Sequence, residues 1–179
     1  MEKNKIYIAK QTLKILQKVS IKKNSLSVIL DDKKNTSFKD KKDLIVNINR
    51  YFDFLLRENL FSLEKSSEKD MLFEVLMARL DILNLHRKPV KDITNYLIST
   101  PQIIPKIIPS FLETVILIST LSNIKISGIR GAPKLKAIFV LYIFIIYTWS
   151  KDETNSLEKT MTTLDKYLNN IEKFFNIFK

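Results

Sequence analysis

Histidine and cysteine, two of the side chains most often found in catalytic and metal sites, are almost absent from this chain. There is one histidine, His86, and no cysteine, which removes disulfides, thiolate metal ligands and thiol nucleophiles. His86 follows the end of a predicted helix, where a capping or solvated role is more common than catalysis. The acid pairs Asp31-Asp32 and Asp152-Glu153 lie in predicted turns, where Asp bonds to the local backbone. The sequence therefore predicts no catalytic residues, no metal site and no cofactor.

The charge of the chain is strongly positive, at a formal net charge of +11. Such a charge fits an anionic partner, either nucleic acid or a membrane surface. The basic residues are mostly Lys, however, and Lys, Ile and Asn are favoured by A/T-rich codons, so genome composition is an alternative origin. Arg, rather than Lys, is the usual residue for bidentate phosphate and base contacts. The two glycines of the chain are too few for a phosphate-binding glycine loop.

Apolar residues recur with helical spacing along almost the whole chain, and no segment alternates for long enough to build a sheet. We therefore expect an all-α protein. A short apolar piece is expected at 26–30. Longer helices are predicted over residues 6–19, 40–60, 66–85 and 88–99.

Proline and glycine mark the predicted breaks in the middle of the chain. Pro101, Pro105 and Pro109 predict irregular or kinked chain up to about Pro109, because an interior proline removes a backbone donor and collides with the preceding turn. Helix is expected to resume after it. Both glycines fall within 127–131, which predicts a loop there, with Pro133 in the first turn of the next helix.

The last quarter of the chain carries an excess of apolar residues. An uncharged run over 137–149 is followed by a polar break at 150–153 and an amphipathic segment over 156–178. Two such helices expose more apolar surface than one side of a small domain hides, so a second copy, a lipid-like ligand or a membrane must cover the rest. The uncharged run is about 20 Å long as a helix, too short to cross a hydrocarbon core of about 30 Å.

The segment after Asp152 places its apolar residues on one stripe. We predict that this stripe packs on the preceding helix and forms a dimer interface. The predicted interface residues are Leu157, Met161, Leu164, Leu168, Ile171 and Phe175. The alternative is membrane contact by the end of the segment, with nearby lysines facing headgroups. That contact would use Phe174, Phe175, Ile177 and Phe178.

The segment Phe38-Lys39-Asp40-Lys41-Lys42-Asp43-Leu44 follows a short helix and a turn, and in this setting it resembles the helix-turn-helix head of the TetR family. That family reads DNA with a recognition helix, for which only 31–37 are available here. Seven residues are too few for a normal recognition helix that reaches several base edges. Lysines in this part of the chain could still contact DNA phosphates without reading the sequence, and the alternative is that they form a solvated basic face. The candidate residues for it are Lys33, Lys34, Lys39 and Lys41.

Two motifs carry a second resemblance: Met71-Leu72-Phe73-Glu74-Val75-Leu76-Met77-Ala78-Arg79-Leu80-Asp81, and Trp149-Ser150-Lys151-Asp152-Glu153 followed by Thr160 and Leu164-Asp165. In this order, over roughly 70–175, they resemble the TetR-fold family of ubiquinone-biosynthesis accessory proteins, namely the ninth coenzyme Q protein and its bacterial relatives. The resemblance implies a TetR-like helical homodimer with an apolar pocket for a lipid or isoprenoid. It also implies no catalytic residues and service to quinone-modifying enzymes at a membrane.

The chain is accordingly expected to divide into a helix-turn-helix-like part, 1–60, and a helical ligand-binding and dimerisation domain, 61–179. The pocket is expected between the helices over 71–83, 111–121 and 135–149, which bring together more large apolar side chains than their polar faces balance. Its predicted lining residues are Phe73, Leu76, Leu80, Phe111, Val115, Ile116, Phe139 and Tyr142.

The sequence thus predicts a non-enzymatic lipid- or isoprenoid-binding accessory protein, which the resemblance links to ubiquinone biosynthesis. Its charged start does not have the pattern of a secretory signal, so we expect a cytoplasmic protein, peripheral to the inner face of the membrane. The alternative is a TetR-type transcriptional regulator that binds DNA as a dimer and responds to a small hydrophobic effector. A third interpretation is a purely structural scaffold for another protein, such as a quinone-biosynthesis enzyme.

Overall fold

The computed structural model describes residues 1–30, 38–60, 66–154 and 156–177. Over these residues the chain is helical and has no strand, which confirms the predicted all-α class. Pro101–Ile103 forms a 3-10 turn. The α-helices in chain order are α1 (Lys3–Leu16), α2 (Leu26–Leu30), α3 (Lys41–Asn59), α4 (Glu68–Leu85), α5 (Arg87–Ser99), α6 (Ile104–Leu121), α7 (Gly128–Lys151) and α8 (Glu158–Ile177).

The chain forms two compact units, and neither is one continuous stretch of sequence. The first unit comprises Met1–Leu55 and Ile82–Phe111, and the second comprises Leu56–Asp81 and Leu112–Lys179. The sequence was expected to divide once, near residue 60, whereas here 82–111 join the N-terminal helices because α5 packs on α1. Compactness does not assign a function to either part, so the functional division stays a prediction.

In the first unit, α1 packs against α2 and α5. The buried face of α1 consists of Ile8, Ala9, Thr12, Leu13 and Leu16. The chain after α1 is attached to α5 through Asp92, whose carboxylate accepts hydrogen bonds from Ser20 Oγ at 2.8 Å and from the N–H of Ile21 at 2.6 Å. Asn47 Nδ2 donates to the carbonyl oxygen of Lys5 at 3.0 Å, which joins α3 to α1. Hydrogen bonds between distant segments therefore stabilise this unit, in addition to its apolar core.

The proline segment departs from the sequence prediction. Helix α6 already begins at Ile104, so the expectation of irregular chain up to Pro109 is wrong. Pro105 lies in the first turn, where an N–H would have no partner within the helix. Pro109 removes one hydrogen bond of the second turn, but Thr114, Val115 and Ile118 beyond it are fully buried, and their packing holds the helix.

The segment Pro101–Leu121 is long and apolar enough to cross a membrane, and it alone meets that criterion among the residues described. Part of it is buried within the protein, and core helices meet the same criterion. Length and composition therefore do not establish a membrane span. The sequence prediction had considered only the run 137–149, since the prolines argued against a long helix here.

Helix α7 begins at Gly128, earlier than predicted, so Gly131 and Pro133 lie inside the helix instead of in a loop and at a first turn. Gly128 has a φ of 73°, the left-handed conformation that favours glycine. Gly131 is buried against the backbone of Ile126. The glycines thus serve a turn and a close backbone approach, and the loop itself precedes both.

In the second unit, α7 and α8 pack against each other as the predicted hairpin. Trp149, Ile138 and Ile145 of α7 are fully buried, as is Leu164 of α8. Helix α4 is joined to α8 through Lys69, whose Nζ donates to Asn169 Oδ1 at 2.6 Å and lies 4.0 Å from the Asp165 carboxylate.

Candidate functional site

An apolar groove runs along the outer face of the α7–α8 hairpin, with a volume of about 520 Å³. Helix α7 supplies one wall and α8 the other. The lining residues are Pro133, Lys136, Ala137, Val140, Leu141, Phe144, Tyr167, Ile171 and Phe174. Lys136 is the one charged residue in this set, so almost all of the groove is suited to an apolar ligand. We call it the α7–α8 groove.

Three apolar side chains of the α7–α8 groove are exposed. Val140 is 66% exposed, and Phe144 and Tyr167 each leave more than a third of their surface in water. The rings of Phe144 and Tyr167 pack with their centroids 4.7 Å apart, so α7 and α8 are in contact within the groove. Covering this surface would release a substantial hydrophobic free energy, on the order of 25 cal/mol for each Å² removed from water.

A smaller concavity of about 260 Å³ lies between the start of α4 and the end of α8. Its lining includes Glu68, Lys69 and Glu172 beside Leu72 and Leu168. Three charged side chains at so small a site make it less suited to an apolar chain than the α7–α8 groove.

The stripe predicted as a dimer interface is largely covered by its own chain. Leu157, Leu164, Leu168 and Phe175 are buried, whereas Met161 is exposed and Ile171 is half-buried in the α7–α8 groove. A side chain that its own chain covers buries no further area against a partner. Most of the exposed large apolar residues of the hairpin are on α7: Ile129, Val140, Ile143, Phe144 and Tyr147, beside Met161 and Tyr167 on α8.

Four residues were predicted to touch a membrane, and the two whose side chains the structure describes are not exposed. Phe174 is half-buried and lines the α7–α8 groove. Phe175 is buried, and the Nζ of Lys134 lies 5.2 Å from the centre of its ring, a cation–π distance. Phe178 and the side chain of Ile177 lie outside the described residues.

The eight residues predicted to line an inner pocket have different surroundings. Leu76, Leu80, Val115 and Tyr142 are buried; Phe73, Phe111 and Phe139 are half-buried; Ile116 is exposed. None of them lines the α7–α8 groove, and Phe111 belongs to the first unit. The inner pocket stays a prediction.

Helices α4 and α7, which carry several of the predicted pocket residues, are joined by a buried polar contact. Arg79 of α4 is fully buried, and its Nε donates to the phenolic oxygen of Tyr142 in α7 at 3.3 Å. A guanidinium keeps its charge at neutral pH, so its burial requires polar partners. The hydroxyl of Tyr142 is therefore committed to holding Arg79 in the protein interior.

The turn between α7 and α8 is organised by the Asp152 carboxylate, which is buried. One oxygen accepts hydrogen bonds from Thr154 and the other from Thr160, in each case from both the backbone N–H and the hydroxyl, at 2.5–3.0 Å. Burial alone raises the pKa of Asp152, but these four hydrogen bonds outweigh it and hold the pKa well below its usual range. The negative charge of Asp152 lies near the N-terminal end of α8, where the helix dipole also stabilises it.

His86 precedes α5, and its ring packs on Phe52 with centroids 5.6 Å apart. Burial lowers the pKa of His86. Its carbonyl oxygen accepts a hydrogen bond from the N–H of Val90 at 3.0 Å, so its backbone begins the helix. Within the described ranges, no group of three His, Asp or Glu side chains is placed to hold a metal ion.

The positive charge is concentrated in the first unit. That unit has 17 Lys and Arg residues against 7 Asp and Glu residues, a net charge of +10, whereas the second unit has 13 against 12, a net charge of +1. Of the predicted DNA contacts, Lys39 is exposed, and the Nζ of Lys41 lies 5.5 Å from the centre of the Tyr96 ring. Lys33 and Lys34 lie outside the described residues.

The sequence contained a signal for the α7–α8 groove that the prediction did not use. Val140, Phe144 and Tyr147 recur at steps of four and three, one face of a helix, while Leu141, Ile145 and Trp149 mark a second face. A helix with two apolar faces has one that its own core does not cover.

No family model matches the chain, and no curated protein matches it significantly. The two resemblances therefore rest on the quoted motifs alone.

Proposed function

We propose that this is a non-enzymatic protein that binds a lipid or isoprenoid, and that the α7–α8 groove holds the apolar chain of that ligand. The supporting observation is the groove itself, where eight of the nine lining residues are uncharged and several are exposed. Its volume of about 520 Å³ is within the range of small-molecule sites, about 300–1,000 Å³.

The length of the groove supports a chain-like ligand. From Pro133 to Phe144 the wall formed by α7 contains twelve residues, and the eleven steps between them cover roughly 16 Å at about 1.5 Å each. One leaflet of a bilayer core is about 15 Å thick, so the groove matches the depth to which a lipid chain reaches. A compact aromatic effector would leave much of this length empty.

The single charged lining residue suggests how a ligand would be oriented. Lys136 is exposed and lies near the α7 start of the groove, with Pro133 and Ala137 beside it. An ammonium group at one end of an apolar groove favours an anionic or strongly polar head there. The ligand class that fits is therefore amphipathic, with one chain and one polar end.

A role as an accessory protein of ubiquinone biosynthesis, at the inner face of a membrane, is the more specific part of the proposal. It is supported by the motifs at 71–81 and 149–165, among which Asp152 and Thr160 are bonded to each other. An isoprenoid quinone precursor has the required shape, with a long apolar chain and a polar ring. The partner would be an enzyme that modifies that ring.

Lipid uptake is tested with Val140→Asp, which puts a carboxylate into the groove at a position exposed enough to tolerate it. Native mass spectrometry after incubation with phosphatidylcholine vesicles containing an isoprenoid quinone should show bound lipid on the wild-type protein. The variant should lose at least about tenfold in occupancy, because an ionised group in an apolar site is costly to desolvate.

The matched control is Ile129→Asp, which makes the same change at another exposed apolar residue of α7, 94% exposed and outside the groove. It should bind lipid like the wild-type protein. A wild-type protein that takes up neither phospholipid nor quinone contradicts the proposal. Equal losses in the two aspartate variants would show that the groove is not the site.

The homodimer implied by the resemblance is a separate part of the proposal. Because most of the α8 stripe is covered within one chain, such a dimer would use apolar residues of the hairpin that are exposed and outside the groove, among them Ile143, Tyr147 and Met161. We expect Tyr147→Glu to convert the dimer to a monomer in light scattering. A wild-type protein that is monomeric at micromolar concentration rejects the dimer without bearing on lipid uptake.

The alternative function, a TetR-type regulator, is favoured by the charge of the first unit. A net charge of +10 on residues that include the predicted helix-turn-helix part suits a DNA backbone. Retention of a fragment of its own promoter in the presence of poly-dI-dC would support regulation. Weak retention that physiological salt abolishes would count against it.

A further inference from the structure

One face of α1 is basic from end to end. Lys3, Tyr7, Lys10 and Lys14 follow one another at steps of four, three and four residues, and all four are exposed. Lys18 extends the row in the turn after the helix and is exposed too. The opposite side of α1 is buried, so the orientation of this row is fixed by the core.

Among the described residues, acidic side chains form no ion pair with this row. Helix α1 contains no Asp or Glu. Among the ion pairs between described residues, the one at this end of the chain joins Lys5 to Glu2, and Lys3, Lys10, Lys14 and Lys18 take part in none. Like charges at these spacings repel each other, which an anionic partner would relieve.

The row leads into a basic cleft of about 610 Å³ between the end of α1 and the start of α5. Lys18, Arg87, Lys88 and Lys91 line it. The cleft also contains Asp92, but that carboxylate accepts hydrogen bonds from Ser20 and from the N–H of Ile21. Lys88 is anchored by donating from Nζ to the carbonyl oxygen of Gln17 at 2.5 Å.

We propose that this surface of the first unit, the row Lys3, Tyr7, Lys10, Lys14 and Lys18 with the adjoining cleft, docks on a membrane that contains anionic phospholipids. Headgroup phosphates would lie along the row, and one would enter the cleft. Four lysines on one exposed line suit the planar, evenly charged surface of a bilayer, to which each basic residue adds favourable free energy.

Two features favour a membrane over nucleic acid. The row is made of Lys, a hydrated point charge, and the one Arg of the cleft, Arg87, already donates to Asn84 Oδ1 at 3.1 Å. Tyr7 lies in the middle of the row and is 61% exposed. Tyrosine beside lysine is typical of the membrane–water interface, where the ring sits at headgroup level.

The experiment is co-sedimentation of the full chain with vesicles of phosphatidylcholine alone and of phosphatidylcholine with phosphatidylglycerol. The wild-type protein should bind the anionic vesicles and release them at high salt. The triple variant Lys10→Gln, Lys14→Gln, Lys18→Gln should bind about 100-fold more weakly, at about fivefold for each lysine, and Lys14→Gln alone about fivefold more weakly.

The matched control is Lys125→Gln, Lys159→Gln, Lys166→Gln, which removes three exposed lysines from the second unit and leaves the same net charge. It should keep most of the binding. Equal losses in the two triple variants, or wild-type binding that does not depend on phosphatidylglycerol, would overturn the proposal. Tighter binding to a mixed-sequence DNA duplex than to the vesicles at equal phosphate concentration would instead assign this surface to nucleic acid.

This inference does not depend on the α7–α8 groove. Val140→Asp should leave sedimentation with anionic vesicles unchanged, and the lysine triple variant should still take up quinone from phosphatidylcholine vesicles. Either proposal can therefore be refuted without refuting the other.

Discussion

Replacing Gly131 by Ala should destabilise the protein by about 3 kcal/mol, because the added methyl group has no space. A Cβ at this position would lie 2.7 Å from the Cα of Ile126 and closer still to its carbonyl carbon and oxygen. These are backbone atoms, so no side-chain rotation relieves the clash, and α7 or the loop before it must move. Urea denaturation followed by circular dichroism measures the free energy of unfolding.

Gly128→Ala is the matched control for this effect. Its φ of 73° is unfavourable for Ala, but nothing lies within 4 Å of the added Cβ. The expected loss is about 1 kcal/mol, the cost of a left-handed conformation. In an ordinary helix, Gly→Ala stabilises by about 1 kcal/mol, so a more stable Gly131→Ala variant would contradict the close approach between α7 and Ile126.

Replacing Asp152 by Asn should lower the free energy of unfolding by about 3 kcal/mol at neutral pH, since buried donors that lose an acceptor cost about 1–3 kcal/mol each. The carboxylate accepts four hydrogen bonds, two on each oxygen. An amide has one acceptor oxygen, so its NH₂ group would face the donors of either Thr154 or Thr160. Denaturation of the two proteins at neutral pH measures the difference.

The difference should depend on pH in one direction. The pKa of Asp152 is lowered in the folded protein, so its contribution is fully present above the unfolded value of about 4 and is lost as the pH falls toward the folded value. The advantage of the wild-type protein over Asp152→Asn should therefore be constant from neutral pH to about 5 and decline below about 4. Glu153→Gln, a change at the exposed neighbouring acid, should cost less than about 0.5 kcal/mol.

The helices were predictable because their apolar residues recur at helical spacing. The helices predicted over 40–60, 66–85 and 88–99 match α3, α4 and α5 to within a few residues. The errors came at proline and glycine. Pro109 and Gly131 both lie inside helices, where tertiary packing outweighs a local preference worth about 1–3 kcal/mol.

The groove was less predictable than the helices for a physical reason. Periodicity shows that α7 and α8 are apolar, but it does not show which face each helix turns toward its own core. The stripe Leu157, Leu164 and Leu168 faces inward, as expected for packing on the preceding helix, and its part in a dimer interface stays a prediction. Asp152 was expected to bond to its local backbone, which it does at Thr154, but its contact with Thr160 depends on the fold of the whole turn.

The most direct test of the central claim is photo-cross-linking with a lipid that carries a diazirine near the middle of its chain. The chain should label α7 and α8 peptides that contain Val140, Phe144 or Tyr167, and Val140→Asp should remove the label while Ile129→Asp retains it. Labelling of α4 around Leu76 and Leu80, or no labelling in the hairpin, would contradict a lipid chain bound in the α7–α8 groove.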